Sequence, residues 1–170
     1  MKAMATEPKT LLFPLLAALL TAGCGPGARF EPVVSSGNTL ELEIGGKKLQ
    51  VELALDDDAR QRGLMFRKDL EPDQAMLFIW PEHQERGTAL QPRSFWMRNT
   101  TIALSIAFID DEGKILQIED MRPNDERYTR SKDEVRHALE VNQGWFQKNG
   151  IGPGTVIQDF RKKVSRLGAQ

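Results

Sequence analysis

The segment Ser94 to Thr100, SFWMRNT, gathers side chains that could hold a ligand. Phe95 and Trp96 offer aromatic faces, Arg98 a planar guanidinium, and Asn99 a carboxamide that both donates and accepts. A guanidinium beside aromatic rings can stack on them and also clamp a carboxylate through two parallel hydrogen bonds. The same residues could equally tie down a loop by bonding backbone carbonyls. Arg67, after Leu64-Met65-Phe66, carries the same two readings. Glu140 stands between Leu139 and Val141, so its carboxyl is either half-buried in a strand or turned into a cleft. Arg67, Trp96, Arg98, Asn99 and Glu140 are therefore the candidate ligand-binding residues.

Catalytic signatures are sparse. The chain has no Walker A sequence, no GxGxxG, no HExxH and no GxSxG. His83 falls in a polar stretch and His137 just before a strand; each reads more simply as solvent-facing or hydrogen-bonded than as catalytic. Asp56–Asp58 and Asp110–Glu112 could suggest calcium, but neither follows an EF-hand loop, and a helix cap and a hairpin turn explain them. With one Cys and two His, a zinc site would lean on carboxylates. Neither a metal nor a cofactor is expected. An acid–base enzyme would draw on Asp110, Glu140 or His137 and would need two groups of separated pKa in one cleft. The spacing places no such pair.

The N-terminus reads as an address. Lys2 and Lys9 precede an apolar run from Leu11 to Leu20, broken only by Pro14. That run is too short to span a bilayer and suits the h-region of a secretory signal peptide. Leu20-Thr21-Ala22-Gly23-Cys24 resembles a bacterial lipobox, although Thr21 stands where Leu is usual. The resemblance implies cleavage before Cys24 and a chain held to the membrane by lipid on that residue. Gly25 after the Cys implies the outer membrane, with the domain on its periplasmic face. A plain signal peptide with a nearby Cys is the simpler alternative. Residues 1–23 thus read as a lipoprotein signal peptide, and Gly-, Pro- and Ser-rich residues 24–38 as a flexible tether.

The elements that must position the candidate residues lie within 39–160. Leu40, Leu42 and Ile44 alternate with Glu41 and Glu43; after Gly45-Gly46, Leu49, Val51 and Leu53 alternate with Gln50 and Glu52. A two-residue Gly-Gly turn pairs Ile44 with Lys47, Leu42 with Leu49 and Leu40 with Val51, which puts every apolar residue on one face. Asp56–Asp58 caps a short helix that Gly63 ends. Leu64-Met65-Phe66 is expected to be buried, and Met76–Trp80 to form a strand. Residues 81–94 and 123–134 read as loops, and 101–121 as a second hairpin turning at Asp110–Gly113. Ala138–Val141 is a strand, Asn142 caps a helix through Trp145 and Phe146, and Thr155–Ile157 is a last strand. Residues 161–170 read as a polar tail. The fold class is mainly β: a compact antiparallel β-barrel or sandwich with one or two short helices.

Charge excludes one class of partner. Lys plus Arg number 23 and Asp plus Glu 24, a net of -1. Binding a nucleic-acid backbone needs an excess of positive charge, so no nucleic-acid partner is expected.

In order along the chain, Arg62-Gly63-Leu64-Met65-Phe66-Arg67, Met76-Leu77-Phe78, Phe95-Trp96-Met97-Arg98-Asn99-Thr100, Leu139-Glu140-Val141 and Gly144-Trp145 resemble domain-of-unknown-function family 192. The resemblance covers about residues 39–160. It implies a compact, mostly β domain, often secreted or lipid-anchored, and brings no activity, cofactor or catalytic residue. Ala75, Ala103 and Ser105 depart from its usual Gly, Pro and Asp. Three functions stay open: a lipid-tethered module binding a small ligand, glycan or envelope protein; a hydrolase or transferase using cleft carboxylates; and a structural envelope protein without a pocket. The first is preferred.

Overall fold

The computed structural model describes residues 38–80 and 92–167. The proposed signal peptide, lipidated Cys24 and nearly all of the tether lie outside these residues, as does His83. The first hairpin, β1 (Thr39–Ile44) and β2 (Lys47–Ala54), has the register that its alternation and turn predict, with Leu42 opposite Leu49 and Ile44 opposite Lys47. Helix α1 (Asp57–Arg62) follows, and the Asp56 carboxylate caps it by accepting from the Ala59 N–H at 2.7 Å. The chain then returns as β3 (Gln74–Ile79), parallel to β2.

β5 (Leu104–Ile109) and β6 (Ile115–Met121) form the second hairpin, with a bulge at Phe108/Ile109. Asp110 builds its turn by accepting from the N–H groups of Glu112 and Lys114. Strand β8 (His137–Asn142) lies between β3 and β5, giving a six-stranded sheet in the order β1-β2-β3-β8-β5-β6. β4 (Ser94–Phe95) and β7 (Thr129–Arg130) pair as a small second sheet. Helices α2 (Trp145–Lys148) and α3 (Phe160–Ser165) complete the fold.

Both faces of the large sheet are covered. Leu49, Val51, Ala75, Leu77, Leu139 and Val141 pack on one side with Trp145, Phe146, Ile157 and Phe160. Met76, Phe78, Ala138, Ile106 and Phe108 pack on the other with Leu64, Phe95 and Met97. This is why Met76–Trp80 is continuously apolar rather than alternating: a central strand covered on two sides needs apolar residues at every position.

Several expectations are corrected. The sheet is mixed, not wholly antiparallel, because α1 carries the chain over to a parallel β3. It is not a closed barrel, although residues 154–158 reach both edges. Ile157 bridges to Ile44 of β1, and Val156 to Lys114 beside β6. The expected strand at 155–157 thus makes only isolated bridges, which protect the sheet edges. Among the described residues there are three short helices, since residues read as a polar tail form most of α3. The segment 123–134 contains β7. Asn142 does not cap α2, whose N-cap is the left-handed Gly144; its amide donates instead to the carbonyls of Leu70 and Glu71. Leu64 is buried, but Phe66 is 70% exposed.

Candidate functional site

Glu140 lies on a central strand, opposite Met76 of β3 on one side and Ile106 of β5 on the other. Its side chain shares a face with Ala138, two residues away, and is 4% exposed among apolar neighbours. Loss of hydration disfavours the charged form, and burial pushes this carboxyl up to about 8. At neutral pH it is therefore mostly a carboxylic acid, with one O–H to donate and a carbonyl oxygen to accept.

Above it lies a cavity of about 140 Å³. Arg60, Gly63, Leu64 and Met65 form one wall, and Ser94, Phe95, Trp96 and Thr100 another, with Phe78 and Trp80 from β3 and its end. Gly63 has φ 48°, and a Cβ there would meet the Phe78 ring at 3.4 Å, so the helix end closes tightly over β3. The aromatic walls are braced against each other. Phe95 meets Phe78 edge-on at 5.0 Å and Trp80 at 6.1 Å. Trp80 also meets two guanidiniums, Arg93 at 4.3 Å and Arg60 at 5.5 Å from the ring centre. Arg60 is itself fixed: Nη1 donates to the carbonyls of Leu55 (2.5 Å) and Ile79 (2.8 Å), and Nη2 to Asp57.

The structure divides the five residues singled out from the sequence. Trp96, just past the end of β4, and Glu140, on β8, line the same cavity. Arg98 stacks on the Trp96 ring at 5.5 Å but clamps no carboxylate among the described residues. Tyr128 stacks on the same ring, with centroids 5.9 Å apart and planes 13° from parallel, and Arg130 caps Tyr128. Arg67 and Asn99 do not line the cavity. Arg67 forms a two-pronged ion pair with Glu52, one contact being Nη1 to Oε1 at 2.6 Å and the other Nη2 to Oε2. Asn99 occupies a left-handed turn, and its carbonyl accepts from the Phe66 N–H. Among the described residues the Arg67 guanidinium thus grips a carboxylate rather than a backbone carbonyl, and the Asn99 contact is made by its backbone.

Trp80, Arg60 and Tyr128 were not anticipated as parts of this region. A Trp ending a buried strand beside Pro81 was the available signal for the first. Nothing local marks the other two, because the rings that draw them to this region, Trp80 for Arg60 and Trp96 for Tyr128, are distant in sequence.

His137 is excluded from the cavity by strand periodicity. It faces the opposite side of the sheet, where its ring meets Phe160 edge-on at 5.0 Å. Burial lowers its pKa to about 4, Arg136 and Arg93 act in the same direction, and Asp110 opposes them. It is neutral at pH 7 and cannot pair with Glu140 as acid and base.

Ser105, at one of the departures noted above, also faces away from the cavity. Its hydroxyl donates to Asp120 at 2.5 Å and accepts from the Gly144 N–H at 2.9 Å.

A second, wider concavity of about 480 Å³ is lined by Met97, Asp120, Met121, Arg122, Asp125, Arg127, Tyr128 and Thr129. Its charges are largely committed: the Arg127 guanidinium beside Asp125 holds that carboxyl well below the usual range, at about 2. Among the described residues no cluster of His, Cys, Asp and Glu could hold a metal, and no helix is long and apolar enough to cross a membrane.

Two solved structures share this architecture. A protein from Sinorhizobium meliloti 1021, described as a candidate transcription regulator, is 33% identical, with a TM-score of 0.61 over 69% of this chain and 89% of that one. A protein of unknown function from Novosphingobium aromaticivorans DSM 12444 is 29% identical, with a TM-score of 0.64 over 75% of this chain and 89% of that one. No curated protein matches. The family model for DUF192, described as an uncharacterized ACR, matches residues 40–158, which contain the whole six-stranded sheet except Thr39 together with the Glu140 cavity. The chain belongs to the DUF192 family.

Proposed function

We propose that this domain is a binding module of the bacterial cell envelope, tethered through lipid on Cys24 and holding a small ligand over Glu140. The observation that carries the ligand site is the buried Glu140 carboxyl facing an aromatic-walled cavity, where burial favours its uncharged form. Ligand sites combine mostly apolar walls with a few placed polar groups. An uncharged carboxylic acid on a central strand supplies one donor and one acceptor at a fixed position. The ligand class is a small neutral molecule with an apolar ring or chain and a carbonyl or hydroxyl for Glu140.

The localisation, on the periplasmic side of the outer membrane, rests on the lipobox-like sequence at Leu20–Cys24 and on Gly25. A transcription-regulating role, suggested by the description of the Sinorhizobium protein, would call for a cationic face toward phosphates. The near balance of 23 basic and 24 acidic residues favours a small ligand instead. Hydrolysis or group transfer is less well supported, because among the described residues Glu140 has no second acid or base beside it in the cavity.

The test is a thermal-shift screen of the chain against neutral monosaccharides and small aromatic amides, repeated on Glu140→Gln and Trp96→Ala. A compound that raises the wild-type melting temperature should lose its effect in Trp96→Ala and be weakened in Glu140→Gln. A panel with no shift, or shifts untouched by both substitutions, overturns the assignment of the cavity. Release of the Cys24→Ser chain from membranes tests the anchor; retention of that variant overturns it.

A further inference from the structure

Of the residues lining the Glu140 cavity, Gln61 and Ser94 are exposed and mark its mouth, whereas Phe78, Phe95 and Glu140 are buried and mark its floor. The other polar groups in its depth are committed to the protein. The Arg60 guanidinium is engaged by the carbonyls of Leu55 and Ile79 and by Asp57. The Thr100 hydroxyl donates to the Arg98 carbonyl at 3.2 Å. The Glu140 carboxyl makes no hydrogen bond or ion pair with a described residue, and burial is the cause of its shift. Buried polar groups are nearly always paired, and this one faces a space rather than a partner.

The size of that space limits what can enter. A cavity of about 140 Å³ is close to the roughly 150 Å³ that admits benzene in an apolar protein core, so it takes one six-membered ring with a small substituent. The charge on its walls limits the substituent. Aromatic walls around a carboxyl would suit an organic cation. The Trp80 wall, however, already carries two guanidiniums, Arg93 at 4.3 Å and Arg60 at 5.5 Å, which repel a third positive charge. An anion would meet the negative faces of the rings. The occupant is therefore neutral.

A carboxylic acid offers a donor and an acceptor side by side. An ester has no donor for the carbonyl oxygen of the acid, and a single hydroxyl cannot align with both oxygens at once. An amide presents its carbonyl and N–H along one edge at a matching spacing, so both groups of the acid are satisfied together. A site built for two such bonds discriminates against ligands that leave one of them unpaired.

We infer that the cavity recognises the edge of a single-ring amide, lactam or imide, whose carbonyl accepts from the Glu140 O–H and whose adjacent N–H donates to the Glu140 carbonyl oxygen. The inference rests on the reading of the cavity as a ligand site and names the group that the ligand presents to it.

The experiment titrates the full chain with benzamide, methyl benzoate, benzyl alcohol and benzylammonium, which share one ring and differ in the group offered to Glu140. Ligand-observed NMR gives the dissociation constants. Benzamide should bind about tenfold more tightly than methyl benzoate or benzyl alcohol, as the loss of one buried hydrogen bond implies. Glu140→Leu should erase that preference while leaving methyl benzoate binding in place. Glu140→Gln, whose carboxamide also pairs with an amide edge, should keep the preference in weakened form and serves as the second variant if Glu140→Leu does not fold. Trp96→Ala should weaken every compound that binds in the cavity. Equal binding of the neutral rings, weakened by Trp96→Ala, leaves the cavity a ligand site and overturns the amide edge alone. Tightest binding of benzylammonium also overturns the amide edge, in favour of a cation. A benzamide preference that persists in Glu140→Leu overturns the role of Glu140. Binding of none of the four overturns the ligand reading of the cavity and this inference with it.

Discussion

The Phe66 N–H donates to the Asn99 carbonyl at 2.8 Å, and both residues are left-handed, at φ 64° and 55°. The two most distinctive stretches of the sequence, around Arg62–Arg67 and Phe95–Thr100, are thus joined by a backbone hydrogen bond as well as by the packing of Leu64 with Phe95 and Met97. Asn99 is then present for its backbone conformation, which Asn tolerates better than most residues. Asn99→Gly should leave the denaturation midpoint nearly unchanged, whereas Asn99→Val should lose about 1–2 kcal/mol, as expected for a β-branched residue forced to positive φ. Equal losses in the two variants would show that the carboxamide itself matters.

The Arg67–Glu52 pair fastens the other flank of the same turn. Both side chains are mostly buried, at 15% and 20% exposure, so the pair escapes much of the solvent screening that weakens surface ion pairs. A double-mutant cycle with Arg67→Ala and Glu52→Ala should give a coupling of about 1 kcal/mol, and Arg67→Lys should recover only part of it, since an ammonium cannot make the two-pronged contact. Additive single effects would mean that the pair contributes nothing to the turn.

Gly113, in the β5–β6 turn, has φ 87°, and a Cβ placed there would lie 2.4 Å from the Phe160 Cβ. Gly113→Ala therefore combines an unfavourable backbone with a clash against a buried aromatic. Chemical denaturation should show a loss of about 2–4 kcal/mol, with α3 displaced first. A variant as stable as wild type would mean that the packing of Phe160 on this turn is not maintained in solution.

These contacts show what a sequence reading can and cannot reach here. The β1–β2 register was legible because alternation and a two-residue turn agree over twelve positions of paired strand. The parallel placement of β3 was not, since a doubly buried strand has no alternation to reveal its neighbours. Glu140 was recognisable as a carboxylate among apolar residues, and Trp96 as an aromatic at a loop junction. Their meeting in one cavity depends on the small β4–β7 sheet, whose two-residue strands leave no periodic signal. Arg67 resembles a ligand contact because a fork that could grip a ligand carboxylate grips Glu52 equally well, and Asn99 because its left-handed backbone leaves no mark in the sequence. Hydrophobicity alone assigns Phe66 to the core, because it does not report a left-handed backbone.

Two buried titratable groups on opposite faces of β8 should divide the pH profile of stability between them. His137 is lowered from 6.5 to about 4, so the folded chain binds fewer protons than the unfolded chain in that interval. Its contribution is complete above pH 6.5 and is lost as pH falls toward 4. Glu140 is raised from 4.5 to about 8, so the folded chain keeps a proton that the unfolded chain has released. Its contribution is complete below pH 4.5 and is lost as pH rises through 8. The two oppose each other between 4.5 and 6.5, but from 6.5 to 8 only Glu140 changes. Stability should therefore fall across that upper window, by an amount on the order of 2 kcal/mol given about 1.4 kcal/mol per pH unit for one proton. Glu140→Gln, which stays neutral at every pH, should abolish the decline and leave the His137 loss uncompensated as pH falls from 6.5 toward 4. His137→Phe should keep the decline and extend it down to pH 4.5. Urea denaturation at a series of pH values reads both. A wild-type profile that is flat from 6.5 to 8 would mean that the Glu140 carboxyl ionises as though hydrated, and the neutral acid on which the ligand reading depends would be lost.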